Sequence, residues 1–175
     1  MGDAAWLKDH VRDIADFPRP GIVFRDITPL LAEPSAFSAA VDAIVEHVGG
    51  RRVDKVLGIE ARGFILAAPV AYRSAAGFVP VRKAGKLPGP VHAEEYALEY
   101  GTDHLEIHGD ALAPGEQVLV VDDVLATGGT AAAAVALVEK LGAEVAGLAF
   151  VIELDALGGR QRLPGRDVLS LVQYR

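Results

Sequence analysis

The chain has 175 residues, enough for one domain that buries most of its apolar surface, and 51% of them are hydrophobic at a mean hydropathy of +0.27. A net charge of −7 argues against a nucleic-acid partner, and the lack of cysteine excludes a disulfide framework, a thiolate metal site and a cysteine nucleophile. No apolar run is long enough to span a bilayer, Asp3 puts acid where a signal peptide needs base, and Trp6 stands where a myristoylation motif needs Ser or Thr, so a soluble cytoplasmic protein with no membrane partner is expected.

Asp9 to Phe17 reads as a first helix, stopped by Pro18 and Pro20. Gly21 to Asp26 is a short extended piece. Phe37, Val41, Ile44, Val45 and Val48 make a helical stripe ended by Gly49-Gly50. Val53 to Ile59 is a strand, Glu60-Ala61-Arg62-Gly63 a turn, Phe64 to about Ser74 a helix, and Gly77 to Arg82 the next strand. The glycines and prolines of Lys83 to Pro90 fit neither helix nor central strand. Glu95 to Tyr100 and His104 to His108 are expected to pair as a hairpin turning at Gly101-Thr102. The lysines and tyrosines of this excursion favour a lid, the alternative being a solvated hairpin. Val118 to Asp123 and Val145 to Leu154 are buried strands joined by an alanine-rich helix from Ala131 to Leu141, and Val168 to Val172 is a last strand at an edge. Strands alternating with helices predict an α/β fold, a doubly wound, mainly parallel sheet whose ligands bind beyond the carboxyl ends of the strands.

The richest segment lies at one such end. The β-branched run Val118 to Val121 leads to the paired carboxylates Asp122 and Asp123, then to Ala126-Thr127-Gly128-Gly129-Thr130 and the alanine-rich helix. Unpaired N–H groups and the positive pole of that helix favour an anion, and the glycines let the backbone close around it. Asp122 and Asp123 repel the same anion, so they suit neutral hydroxyls beside it. A ribose 5-phosphate satisfies both demands. The bland alternative is an ordinary β–α turn with a solvated acid pair. GxxxxGK[ST] is absent, and no GxGxxG follows a strand, so neither a Walker loop nor a dinucleotide fingerprint is present.

Four segments carry a family resemblance: Phe17-Pro18-Arg19-Pro20-Gly21-Ile22-Val23-Phe24-Arg25-Asp26-Ile27, Gly58-Ile59-Glu60-Ala61-Arg62-Gly63-Phe64, Arg82 to Gly89 continuing to Leu98-Glu99-Tyr100-Gly101, and the acid-pair segment. Together they resemble the adenine phosphoribosyltransferases of the type I phosphoribosyltransferase family. The resemblance implies one domain over 1–175 with a small hood near 1–30 and a hairpin lid near 83–108. It implies transfer of the phosphoribosyl group from phosphoribosyl pyrophosphate to adenine, with Mg²⁺ held through the substrate and no direct protein ligand, and a homodimer. Ala126, Thr127, Gly128, Gly129 and Thr130 would hold the 5′-phosphate, and Asp122 and Asp123 would face the ribose hydroxyls. Arg62 would bind the pyrophosphate, with Arg82, Lys83, Lys86 and Tyr100 on the lid side. Val23, Phe24 and Arg25 would line the adenine site opposite Leu154, and Glu99 is the candidate for handling the purine proton. The Glu60–Ala61 bond is expected to be cis.

Elementary chemistry agrees with these roles. Breaking the C1′–pyrophosphate bond builds negative charge on the leaving group, which fixed cations stabilise, and positive charge on a sugar that water must not reach. Adenine presents an amino donor and a ring-nitrogen acceptor, which a strand-like backbone at Val23 can match with C=O and N–H while Phe24 stacks. The shared sugar-phosphate segment also leaves open another base, such as hypoxanthine-guanine or orotate, a regulator that senses phosphoribosyl pyrophosphate, or a vestigial module. Glu94 and Glu95 place acid in the lid, where it opposes a pyrophosphate if both side chains face inward. The five histidines show no metal-ligand spacing and read as surface residues.

Overall fold

Nearly continuous Val, Ile and Leu runs need cover on both faces, and the sheet is built around three of them. The computed structural model describes residues 4–97 and 102–175. A 3₁₀ turn (Ala4–His10) leads to β1 (Arg12–Ala15) and β2 (Val23–Asp26), which pair antiparallel as a separate two-stranded ribbon. Helices α1 (Thr28–Ala32) and α2 (Pro34–Val48) follow, then β3 (Lys55–Ile59), α3 (Arg62–Arg73) and β4 (Gly77–Lys83). Next come β5 (Val91–Ala97), β6 (Thr102–His108), β7 (Gln117–Leu125), α4 (Gly129–Lys140), β8 (Glu144–Leu154) and β9 (Val168–Tyr174).

The main sheet has seven strands in the order β5-β6-β4-β3-β7-β8-β9. Strands β4, β3, β7, β8 and β9 run parallel, while β6 joins β4 and β5 joins β6 antiparallel. Alternation along β7 divides the core. Val118 and Val120 pack with Phe150, Leu137 and Val138 under α4, while Leu119 and Val121 pack with Ile44, Leu66 and Val151 under α2 and α3. Among the described residues, no helix is long and apolar enough to cross a membrane.

Two expectations change. Residues 9–17 do not form a helix: the chain makes a 3₁₀ turn to His10 and then β1. The charges of this segment pair across the ribbon instead. Arg12 sits opposite Asp26 and binds it, and Asp13 sits opposite Arg25 and binds it. The expected hairpin exists, but its first strand begins at Val91, just after Pro90, and its second opens at Thr102 opposite Ala97. Of the expected turn at Gly101-Thr102, Thr102 is already in the strand, and 98–101 lie outside the described residues. One face of this hairpin belongs to the core, since Tyr96, Leu105 and Ile107 are buried there.

Candidate active site

Strands β3, β7 and β8 all end at one edge of the sheet, and the predicted residues of the acid-pair segment gather there. β7 runs two residues beyond the acid pair, because Val124 and Leu125 continue to pair with Ile152 and Glu153 of β8. The chain then bends through Ala126 and Thr127. It caps α4 with Gly128 in the left-handed region (φ 79°), whose carbonyl accepts from the Ala132 N–H at 2.9 Å. Asp122, Ala126, Thr127, Gly128, Thr130 and Phe150 line one small pocket at the head of α4. Gly129, its first helical residue, is buried. The head of α4, where first-turn backbone N–H groups lack helical partners, thus stands beside the acid pair.

The two aspartates differ in environment. Asp123 is buried and accepts from Arg62 Nε at 2.5 Å. Asp122 accepts the Asp123 backbone N–H at 2.9 Å on Oδ1. Withdrawal from water and, second, the negative charge of Asp123 push Asp122 well above its ordinary value. Gly63, in the first turn of α3, is what allows this crowding. A Cβ there would lie 2.8 Å from Asp122 Oδ1 and 3.0 Å from the Val121 carbonyl oxygen.

Arg62 follows the Glu60–Ala61 bond, which is cis as the resemblance implies. Glu60 gathers the other cations and was missed by sequence reasoning. Its Oε2 accepts from Arg82 Nε at 3.3 Å and from the Lys83 N–H at 3.0 Å, and its Oε1 accepts from Lys86 Nζ. Burial alone would raise the Glu60 carboxyl, but the Lys86 ammonium, the Lys83 N–H and the Arg82 charge together bring it below its ordinary value. Arg82 also donates to the Lys86 carbonyl at 3.2 Å, which folds the loop back on itself. The signal available in the sequence was a lone acid one turn from Arg62 and a basic cluster at 82–86 needing a counter-charge. Lys83 stands apart from Arg82 and Lys86, since its ammonium pairs with Asp103 of the hairpin at 3.2 Å. Glu94 and Glu95 are held by Lys140 and His104. Glu99 and Tyr100 lie outside the described residues.

The ribbon closes one side. Phe24 packs edge-on against Phe17 with centroids 5.3 Å apart, and the Arg62 guanidinium lies 5.4 Å from the Phe24 ring centre. Phe24 thus joins the ribbon to the turn after β3. Val23 is exposed. The Arg25 side chain is directed elsewhere: its guanidinium lies 4.0 Å from the Tyr174 ring centre and pairs with Asp13. Leu154 pairs with Tyr174 at the ends of β8 and β9, so the expected walls of a base site meet through Tyr174. Asp26 pins the ribbon to α1: it accepts from Arg12 at 2.6 Å, from the Thr28 N–H at 2.9 Å and from the Thr28 hydroxyl at 2.7 Å, which lowers its carboxyl to about 2. The histidines are not all surface residues, because His47 is half-buried against Asp167 at 3.0 Å. Among the described residues, no three His, Cys, Asp or Glu side chains converge as a metal-binding group.

Residues 28–168 match the phosphoribosyl transferase domain family. An adenine phosphoribosyltransferase of Acidothermus cellulolyticus is 63% identical over 164 residues, covering 94% of this chain and 93% of that one. A solved adenine phosphoribosyltransferase from Rhodothermus marinus is 51% identical with a TM-score of 0.94, over 98% of each chain. The Saccharomyces cerevisiae enzyme, solved with an imino-altritol bisphosphate and adenine, is 42% identical with a TM-score of 0.92, over 96% of this chain and 97% of that one. The sheet order, the acid pair before a glycine-capped helix and these likenesses lead to one conclusion: the chain belongs to the adenine phosphoribosyltransferase family of enzymes, which are glycosyltransferases.

Proposed function

We propose that this chain joins adenine to phosphoribosyl pyrophosphate, giving AMP and pyrophosphate as a purine-salvage step. The observation that carries the reading is the meeting, at one sheet edge, of a glycine-capped helix head, a crowded acid pair and the Arg62–Phe24 contact. The backbone of 126–130 and the hydroxyls of Thr127 and Thr130 receive the 5′-phosphate. Asp122 and Asp123 accept the ribose hydroxyls. Arg62, Arg82 and Lys86 exchange their internal carboxylates for the pyrophosphate oxygens, with Lys83 reinforcing them from the hairpin side. A purine nitrogen bonds to C1′ as the C1′–pyrophosphate bond breaks, and the purine proton passes to Glu99. Tyr100 adds to the lid-side contacts with the pyrophosphate, as the hood bearing β1 and β2 covers the other side of the site.

Val23 offers adenine its backbone C=O and N–H, Phe24 stacks, and Leu154 forms the facing wall. The Arg25 side chain serves through Tyr174 and Asp13, so its own contact with the base comes from the main chain. The oxygen donors at the end of β7 fit a Mg²⁺ that arrives on the substrate and keeps its waters, with Asp122 and Asp123 the residues beside it. When bound, the metal supplies charge neutralisation to the departing pyrophosphate. Exposed Ile65 and Tyr72 on α3 and Phe78 on β4 support a homodimer, which light scattering tests. A chain without cysteine suits a cytoplasmic setting.

The deciding assay offers adenine, hypoxanthine, guanine and orotate separately to the protein with Mg²⁺ and phosphoribosyl pyrophosphate. Adenine alone is expected to be converted. Conversion of hypoxanthine without adenine overturns the base assignment, and turnover of none overturns the enzymatic reading.

A further inference from the structure

Between β8 and β9 the chain makes two short 3₁₀ turns, Asp155–Leu157 and Gly159–Arg162. Arg160 in the second turn reaches back to the carboxyl end of β8. Its Nε donates to Glu153 Oε1 at 2.9 Å and one terminal nitrogen donates to Oε2 at 2.5 Å, a two-pronged pair with a nearly buried carboxylate. The other terminal nitrogen donates to the Val168 carbonyl at 2.9 Å, and the nitrogen on Oε2 also donates to the Ser170 hydroxyl at 3.2 Å. One guanidinium therefore ties the turn to both β8 and β9. Glu153 is also the strand partner of Leu125, the residue immediately before the 126–130 loop.

The neighbouring Gly159 touches that loop main chain to main chain. A Cβ on Gly159 would lie 2.2 Å from the Ala126 carbonyl oxygen and 2.9 Å from the Gly128 nitrogen. A Cβ on Gly128 would lie 2.3 Å from the Gly159 carbonyl oxygen. Two backbones interlock with no room for a methyl group on either, so the loop can take its shape only where the turn stands. A buried ion pair is a poor source of stability, since apolar residues of like volume commonly serve as well. What the pair supplies is a fixed position, and a fixed position is what a phosphate cradle of backbone N–H groups needs.

We infer that Glu153 and Arg160 are positioning residues for the 5′-phosphate cradle: they clamp the turn whose Gly159 backs the Ala126–Thr130 loop. This rests on the reading of that loop as the phosphate site. The test measures binding of ribose 5-phosphate by calorimetry, the KM values for phosphoribosyl pyrophosphate and adenine, and the melting temperature of each variant. Gly159→Ala and Arg160→Met are expected to weaken ribose 5-phosphate and raise the KM for phosphoribosyl pyrophosphate on the order of tenfold, as small misplacement of a binding group does. The KM for adenine stays near that of the wild type, and Arg160→Lys recovers part of the loss. Should Arg160→Met fail to fold, Gly159→Ala and Arg160→Lys decide. Ribose 5-phosphate binding at wild-type strength in Gly159→Ala, or equal loss for both substrates in step with the melting temperature, overturns the inference. Thr130→Val separates the two ideas. If it leaves ribose 5-phosphate binding intact, the loop assignment falls and this inference with it; if it weakens binding while Gly159→Ala does not, only the clamp falls.

Discussion

The two halves of the site are made of different material. On the side of α4, main-chain groups from one contiguous segment form the cradle, and glycines at 128 and 159 set its shape by close approach. On the side of α3, long side chains from distant segments do the work, each cation held by a carboxylate of the same protein: Arg62 by Asp123, Arg82 and Lys86 by Glu60, Lys83 by Asp103. A main-chain cradle is rigid and sensitive to shape. A lattice of exchangeable ion pairs is adaptable and sensitive to charge. The first suits a phosphate that stays attached throughout the reaction, and the second suits a pyrophosphate that arrives bonded and leaves free.

Substitutions can test that division, and the acid pair between the halves has the largest expected effect. Asp122→Asn with Asp123→Asn lowers kcat on the order of 10³-fold while circular dichroism stays native. Near-normal turnover would remove the acids from the mechanism. The single change Asp122→Asn also stabilises the protein at neutral pH. A carboxyl raised in the folded state loses stability as pH climbs above the ordinary 3.8, so the gain in melting temperature present at pH 7 vanishes below that value. Arg62→Ala comes next, at about 3 kcal/mol of transition-state stabilisation, roughly 10²-fold in kcat. An equal rise in the KM for adenine would instead assign Arg62 to binding through Phe24.

Glu60→Gln has a smaller effect of opposite sign. With no carboxylate competing for Arg82 and Lys86, pyrophosphate inhibits about tenfold more strongly. Unchanged inhibition would mean that those cations do not exchange partners. The smallest effect falls on the ribbon. Asp26→Asn costs about 1.5 kcal/mol at neutral pH, allowing for the exposure of Arg12. Because the Asp26 carboxyl is depressed to about 2, that contribution is whole above 3.8 and disappears as pH falls through about 2. Denaturant midpoints of both proteins across that range measure it.

The same division explains what could be read from the amino acids. The α4 side is written in consecutive residues, where a buried strand, an acid pair, a glycine loop and a helix follow one another and fold locally. The alternation of strands with helices and the mainly parallel sheet follow from the same hydrophobic runs. The α3 side depends on partners far apart in the chain. Glu60 has no motif of its own and takes its meaning from Arg82 and Lys86, more than twenty residues later. Arg160 and Glu153 look like ordinary surface charges until the turn between β8 and β9 brings them together. The segment from Asp9 to Phe17 failed for a related reason. The extended piece at Gly21 to Asp26 is readable, but its pairing with Arg12 to Ala15 across Pro18 and Pro20 is not.

The pairing of Arg62, Arg82 and Lys86 with acids of their own chain has a consequence for life in a phosphate-rich fluid. Asp123 already holds Arg62 Nε and Glu60 holds Arg82 Nε, so under the proposed function an orthophosphate competes with these acids for those two donors. A molecule with two linked phosphoryl groups can replace both acids at once while its ribose occupies Asp122 and its neighbour. Under the proposed function, these built-in counter-ions favour an anion with two linked phosphoryl groups over small single ones.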